Sequence, residues 1–203
     1  MTLPRPGIEF GEVMTGRITK GSVDPIEGFN NPCAVKTKLR AQVRIPYLRA
    51  FLADGLHRGD WSAELFSAAL DGVLLGEGDN GFRLFERQIV DGRPIRAMVY
   101  DASVSQNGRI YKFKGRKTIG PGPVWRVWRA TTRLEVTVHE NNDTGPVVAA
   151  GILRLTPLAF LRQLTTMRVT GPVSTVAKPY YLVKFLRFFG GSLVNSFILW
   201  RRW

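Results

Sequence analysis

Between residues 35 and 44 the chain alternates without a break: Val35, Thr37, Leu39, Ala41 and Val43 against Lys36, Lys38, Arg40, Gln42 and Arg44. Successive side chains of a strand point to opposite faces, so this pattern builds a β-strand with one apolar side and one charged side. On a helix the same residues would scatter around the axis and gather no apolar face. The pattern returns in Tyr111, Phe113 and Gly115 against Lys112, Lys114 and Arg116, and again in Leu134, Val136 and Val138 against Arg133, Glu135, Thr137 and His139. Shorter strand-like pieces lie at 12–19, 82–88, 95–100, 147–155 and 163–169, with Gly/Asp/Asn clusters at 77–81, 91–94 and 141–146 between them. About eight or nine strands at such spacing predict one antiparallel barrel or sandwich, in which closure removes exposed edges. A short helix is expected over 45–53, with Leu48, Phe51 and Leu52 on one side.

The chain has 203 residues, enough for one well-buried core. We therefore expect a mainly β protein: a single antiparallel β-barrel, lipocalin- or calycin-like in shape, over 1–172, followed by an amphipathic C-terminal helix in a tail over 173–203. Leu182, Phe185, Leu186 and Phe189 have helical spacing in that tail, and Gly190-Gly191 is expected to break the run. The tail packs on the barrel or on a membrane surface in this reading.

Charge is distributed unevenly. The formal net charge is +13, and from Thr144 to Trp203 there is no Asp or Glu. That stretch holds Arg154, Arg162, Arg168, Lys178, Lys184, Arg187, Arg201 and Arg202 among Phe, Tyr and Trp. Uncompensated cations beside aromatic surface point to an anionic, apolar partner, and a membrane surface fits. Spanning is disfavoured for 180–199, because Lys184 and Arg187 would each cost about 2.5–3.5 kcal/mol near the bilayer centre.

Nucleotide cofactors are not indicated: no Gly-x-Gly-x-x-Gly opens a helix and no Walker-type Gly-Lys-Ser/Thr is present. Gly76-Glu77-Gly78 and Gly120-Pro121-Gly122 are turn chemistry. His57 and His139 lack ligand-spaced companions, so no metal site is expected. His57 with Asp60, and His139 with Glu140, are the two conceivable acid–base pairs. Cys33, the only cysteine, reads as a small buried apolar residue. Nucleic acid is disfavoured, because Tyr111 and Phe113 fall on the face opposite Lys112 and Lys114, where they cannot stack bases among the cations. A start lacking a signal-peptide core, together with the absence of disulfides, favours a cytoplasmic, peripherally membrane-associated protein.

The most distinctive text is Trp128-Arg129-Ala130-Thr131-Thr132-Arg133-Leu134, then Val148-Ala149-Ala150-Gly151-Ile152-Leu153-Arg154-Leu155, then Phe160-Leu161-Arg162-Gln163-Leu164-Thr165-Thr166-Met167-Arg168-Val169-Thr170-Gly171. With Met14-Thr15-Gly16, Leu70-Asp71-Gly72 and Gly81-Phe82-Arg83-Leu84-Phe85, this resembles an accessory region of large bacterial cholesterol-oxidase-like proteins of the glucose–methanol–choline oxidoreductase family. The resemblance runs over 12–189 and leaves out the flavin-binding part and its catalytic residues. It implies a barrel-like companion module for lipid or sterol oxidation, with a flavin-dependent oxidoreductase as partner and no oxidase activity of its own.

The expected function is non-catalytic binding of a lipid or sterol-like molecule near an anionic membrane surface. Trp128, Gln163 and Arg168 are the candidate ligand contacts or polar-network positions of the barrel. Lys184, Arg187, Trp200, Arg201, Arg202 and Trp203 are the candidate membrane contacts. No catalytic residue, metal ligand or cofactor is expected. Two alternatives stand beside this. One is a barrel isomerase or cyclase with His57 or a carboxylate facing inward. The other is a structural partner subunit with a side-chain-filled barrel.

Overall fold

The computed structural model describes residues 5–70, 72–76, 81–90, 93–106, 108–120, 126–142 and 144–197. Among them ten strands form one antiparallel sheet: β1 (Gly7–Lys20), β2 (Val35–Ile45), β3 (Arg58–Ser67), β4 (Gly72–Gly76), β5 (Gly81–Val90), β6 (Arg93–Gln106), β7 (Arg109–Ile119), β8 (Arg133–Glu140), β9 (Val147–Arg154) and β10 (Arg168–Thr170). They follow the order β1-β2-β3-β4-β6-β7-β8-β9, and β9 pairs back onto β1. β5 continues the position of β4, pairing with β3 on one side and β6 on the other. The ring closes, and the sheet is a barrel.

The alternation seen in the sequence sets which side faces in. Leu39, Ala41, Val43 and Ile45 of β2, Phe113 and Ile119 of β7, and Leu134, Val136 and Val138 of β8 are buried in one core. Lys36 and Arg40 stay outside. On β5 a bulge between Arg83 and Glu86 gives Phe85 a positive φ of 58°. The irregularity lets the successive Leu84 and Phe85 both enter the core, which strict alternation forbids.

The closing seam depends on two glycines. β1 and β9 pair from Thr15↔Arg154 to Lys20↔Ala149. A Cβ on Gly16 would lie 2.0 Å from the Ile152 carbonyl oxygen, and one on Gly151 would lie 2.2 Å from that of Arg17. Backbone meets backbone there, and only glycine fits.

Helices cover the ends and flanks: α1 (Pro25–Asn30), α2 (Leu48–Ala53), α3 (Arg126–Thr132), α4 (Pro157–Thr166) and α5 (Lys178–Phe197). Asp24 caps α1 by accepting from the Ile26 and Glu27 amides. At one end of the barrel α2 and α5 bring Phe51, Phe185, Phe188 and Phe189 against Phe10 and Phe85. At the other, a 3₁₀ turn (Ala68–Leu70) buries Ala69 and Leu70.

Four local expectations are corrected. Residues 163–169 are not a strand; they hold the last turn of α4 and the start of β10. Thr156 caps α4 and Pro157 starts it, signals that outweigh the β-leaning threonines. Thr131 and Thr132, whose β propensity suits a strand, end α3 instead. Gly190-Gly191 does not break the tail helix, because packing of the phenylalanine face carries α5 through both residues. Cys33 is exposed, at the turn before β2. Since none of the described residues lies within 4 Å of a Cβ built on either helix glycine, Gly190→Ala and Gly191→Ala should each stabilise by about 0.5–1 kcal/mol, measured by denaturant titration.

Candidate functional site

A carboxylate, an ammonium and a phenol meet on the inward, apolar face of the barrel. β1 sends Ile8, Phe10, Met14 and Ile18 inward, and Glu12 shares their parity at 2 % exposure. On β7, Lys117 shares the parity of Phe113 and Ile119, also at 2 %. Tyr100 of β6 completes the group. Its hydroxyl donates to Glu12 Oε2 at 3.0 Å, and Lys117 Nζ donates to Glu12 Oε1. The ammonium also stands 5.2 Å from the centre of the Tyr100 ring. Trp61, Phe82 and Phe113 surround the group, with Trp61 and Phe82 edge-on to Tyr100. Burial, then the negative charge of Glu12, hold the Tyr100 phenol well above its usual range, so it stays a neutral donor.

Such a pair is costly to assemble, since two desolvated charges must be repaid by one short contact and full hydrogen bonding. Glu12 accepts one donor on each carboxylate oxygen. The arrangement can fix strand register across the barrel, and it is the only inward-facing ion pair among the described residues. The residues that stand out in the sequence do not include it. Its signal was nonetheless present, as one acid and one base on the apolar parity of two strands.

The histidines are engaged elsewhere. His57 Nδ1 lies 2.9 Å from the Phe51 carbonyl oxygen, and its ring meets Phe188 edge-on at 4.7 Å. His139 is within hydrogen-bond distance of Thr137 and the Gly145 carbonyl. Neither forms the pair with Asp60 or Glu140 considered from sequence.

The three candidate ligand contacts lie outside the barrel. Trp128, on α3, is 40 % exposed and stacks edge-on with Phe160 of α4 at 5.4 Å. Gln163 is half-buried on α4, with its Oε1 buried and unpartnered among the described residues. Arg168 pairs on the outer face with Glu9, at 3.1 Å to Oε1 and 3.3 Å to Oε2. Gln163 thus belongs to a helix where a strand was expected over 163–169, and Trp128 belongs to a second helix. Arg168 serves a network that also includes Gln42 and Arg44.

The Arg168 hydrogen bond and charge hold the Glu9 carboxyl below its usual range. A carboxyl with a lowered folded-state value stabilises above its unfolded value, near 4.3, and loses that contribution as pH falls through the folded value. Glu9→Gln should therefore lose stability near neutrality and flatten the acid limb of the stability curve, as read from urea midpoints between about pH 2 and 6.

Of the candidate membrane contacts, Lys184 and Arg187 are exposed on α5. Trp200, Arg201, Arg202 and Trp203 lie outside the described residues. α5 spends its largest apolar side chains on the barrel, where Phe185 is fully buried. Its outer stripe is Tyr180, Val183, Lys184, Arg187 and Val194. α4 is the less ordinary helix. Its inner side is Ala159, Phe160 and Gln163, pinned to β1 where the Gly11 amide donates to Thr166 Oγ1 at 3.0 Å. Its outer side is leucine, with Leu158 78 % and Leu161 60 % exposed. Among the described residues no helix is long and apolar enough to cross a membrane.

Fold and site together define a closed antiparallel barrel with a buried carboxylate–ammonium–phenol centre and a leucine-bearing flanking helix. No family model, curated protein or solved structure matches the chain at a significant level.

Proposed function

We propose that this chain is a non-catalytic, lipid-associated barrel module that docks on anionic membrane surfaces through α4 and the outer stripe of α5. One observation carries the reading: α4 turns its leucines away from the protein, within a stretch whose only charges are positive. A helix that packs on a soluble barrel normally does the reverse. Outward leucines with Arg162, Lys184 and Arg187 nearby suit a helix lying in the headgroup layer, with apolar groups below and cations level with the phosphates. The resemblance to cholesterol-oxidase-like proteins adds a lipid or sterol-like ligand and a flavin-dependent oxidoreductase partner to this reading.

Co-sedimentation with vesicles tests it. Vesicles containing anionic phosphatidylglycerol should bind the protein, and neutral phosphatidylcholine vesicles should bind it far less. The double change Lys184→Gln with Arg187→Gln removes about 1 kcal/mol per charge, so binding should weaken roughly thirtyfold. Leu161→Glu should weaken it further. Equal binding of neutral and anionic vesicles, or no loss in either variant, removes the reading.

A second reading, a barrel isomerase or cyclase, is favoured by the inward carboxylate Glu12 beside a phenol and an ammonium, the types of group that move protons at a hydrophobic substrate. Turnover of a sterol ketone that disappears in Glu12→Gln, with the fold intact by circular dichroism, would support it. Identical turnover in that variant would remove it.

A further inference from the structure

Beside Trp128, between α3 and the outer face of β7 and β8, lies an open groove of about 440 Å³ lined by Thr118, Arg129, Ala130, Arg133 and Glu135. Its walls are more cationic than their internal pairing requires. Arg133 sits directly across the ladder from Arg154, and like charges in that position repel. Arg116 faces Glu135 across the next ladder. Arg129 and Arg133 thus line the groove with a single carboxylate, and Arg116 and Arg154 occupy neighbouring ladder positions. Glu135 answers Arg133 at 3.0 Å, Gln88 takes an Arg116 N–H, and the Arg154 guanidinium lies over Phe29.

Two donors remain. The Nε atoms of Arg116 and Arg133 are buried and have no acceptor among the described residues. Buried guanidinium N–H groups without acceptors are rare in folded proteins, and here they leave the positive charge of both arginines less compensated than burial requires. Planar, fork-shaped guanidinium donors match the oxygens of a phosphate.

We propose that this groove is a phosphate-binding site, in which Arg129 and Arg133 hold the oxyanion and Arg116 adds positive charge at its edge. Glu135 opposes a second negative charge nearby and so limits the site to a single phosphate group. Two sources offer that chemistry, a free phosphate compound and the headgroup of an anionic lipid. Proximity to Trp128 and, through Phe160, to the leucine face of α4 favours the headgroup. The site rests on the groove and its arginines and does not depend on the docking reading; only the choice of source does.

Inorganic phosphate is the first probe, titrated into the ¹⁵N-labelled protein at constant ionic strength. Saturable amide shifts should concentrate at Thr118, Ala130, Arg133 and Glu135, and Arg129→Ala should weaken them about tenfold, the worth of one charge-assisted contact. Shifts spread over the other basic surfaces, or an unchanged midpoint in Arg129→Ala, would overturn the site. Arg129 is exposed on a helix, so the variant should keep its fold; Arg129→Lys is the control that keeps the charge and should recover binding only in part.

The second probe separates the sources. Phosphatidylcholine vesicles doped with phosphatidic acid are compared with vesicles doped to equal charge with a carboxylate lipid. Preference for phosphatidic acid that is lost in Arg129→Ala supports the site with a headgroup ligand. Phosphate binding with no such preference supports it with a free phosphate ligand. Leu161→Glu should lose vesicle binding and keep the phosphate shifts, so failure of the docking face and failure of this site give different results.

Discussion

Lys117→Met should be among the most destabilising single changes in this protein. The methionine fits the space, but it leaves the Glu12 carboxylate inside an apolar barrel with only the Tyr100 hydroxyl for company. Removing one partner of a buried ion pair costs about 3–5 kcal/mol, and in a chain of this size that lowers the melting temperature by roughly 6–20 °C. Glu12→Leu should do the same for the opposite reason, since it strands the ammonium. The double variant Glu12→Leu with Lys117→Met should recover most of the loss, because an apolar replacement of both charges is often neutral or stabilising. Thermal unfolding of the two single variants and the double variant closes the cycle. If the double variant is as unstable as the singles added together, the pair is not a coupled unit. Tyr100→Phe removes one hydrogen bond to a charged group and should cost less, about 1.5–3 kcal/mol.

Gly151→Ala should be nearly as damaging by a different route. The added carbon would lie 2.2 Å from the Arg17 carbonyl oxygen and 2.6 Å from the Ile18 Cα. Both are backbone atoms held in place by β1, which pairs on its other edge with β2 from Ile8 to Ile18. No side chain can swing aside, so the two strands must separate at the seam that closes the barrel. A loss of about 3 kcal/mol or more is expected, at the upper end of overpacking effects. Amide exchange should quicken first along β1 and β9, before β6 and β7 respond. Gly190→Ala, the same chemical change in open space, should shift stability the other way.

The barrel was readable because its strands obey one rule. Leu39, Val43, Val136 and Val138 alternate with charges, and the alternation survives folding because one face meets the core and the other meets water. The rule fails where end signals compete with propensity. Thr165 and Thr166 look like strand residues, yet Thr156-Pro157 starts a helix that reaches them. Gly190-Gly191 looks like a break, yet Phe185, Phe188 and Phe189 hold α5 on the barrel before the pair, and Ser192, Leu193 and Ser196 are packed after it. The buried centre was hidden for another reason. Glu12 and Lys117 are separated by more than a hundred positions, and each looks like an ordinary surface charge until its parity is compared with its neighbours. Trp128, Gln163 and Arg168 were singled out for their chemistry within a distinctive segment. Chemistry alone could not tell the inside of a barrel from the helices packed on its outside.

The docking face is tested most directly by measuring depth in the bilayer. With Cys33 changed to Ser, single spin labels would be placed at Leu161 on α4, at Val183 on α5 and at Ile110, an exposed residue of β7 away from both helices. Collision rates with oxygen and with a water-soluble nickel complex are then recorded on phosphatidylglycerol-containing vesicles. The account predicts that the label at 161 lies below the phosphates, the label at 183 lies at their level, and the label at 110 stays in water. A vesicle-bound protein whose label at 161 remains fully aqueous would contradict it.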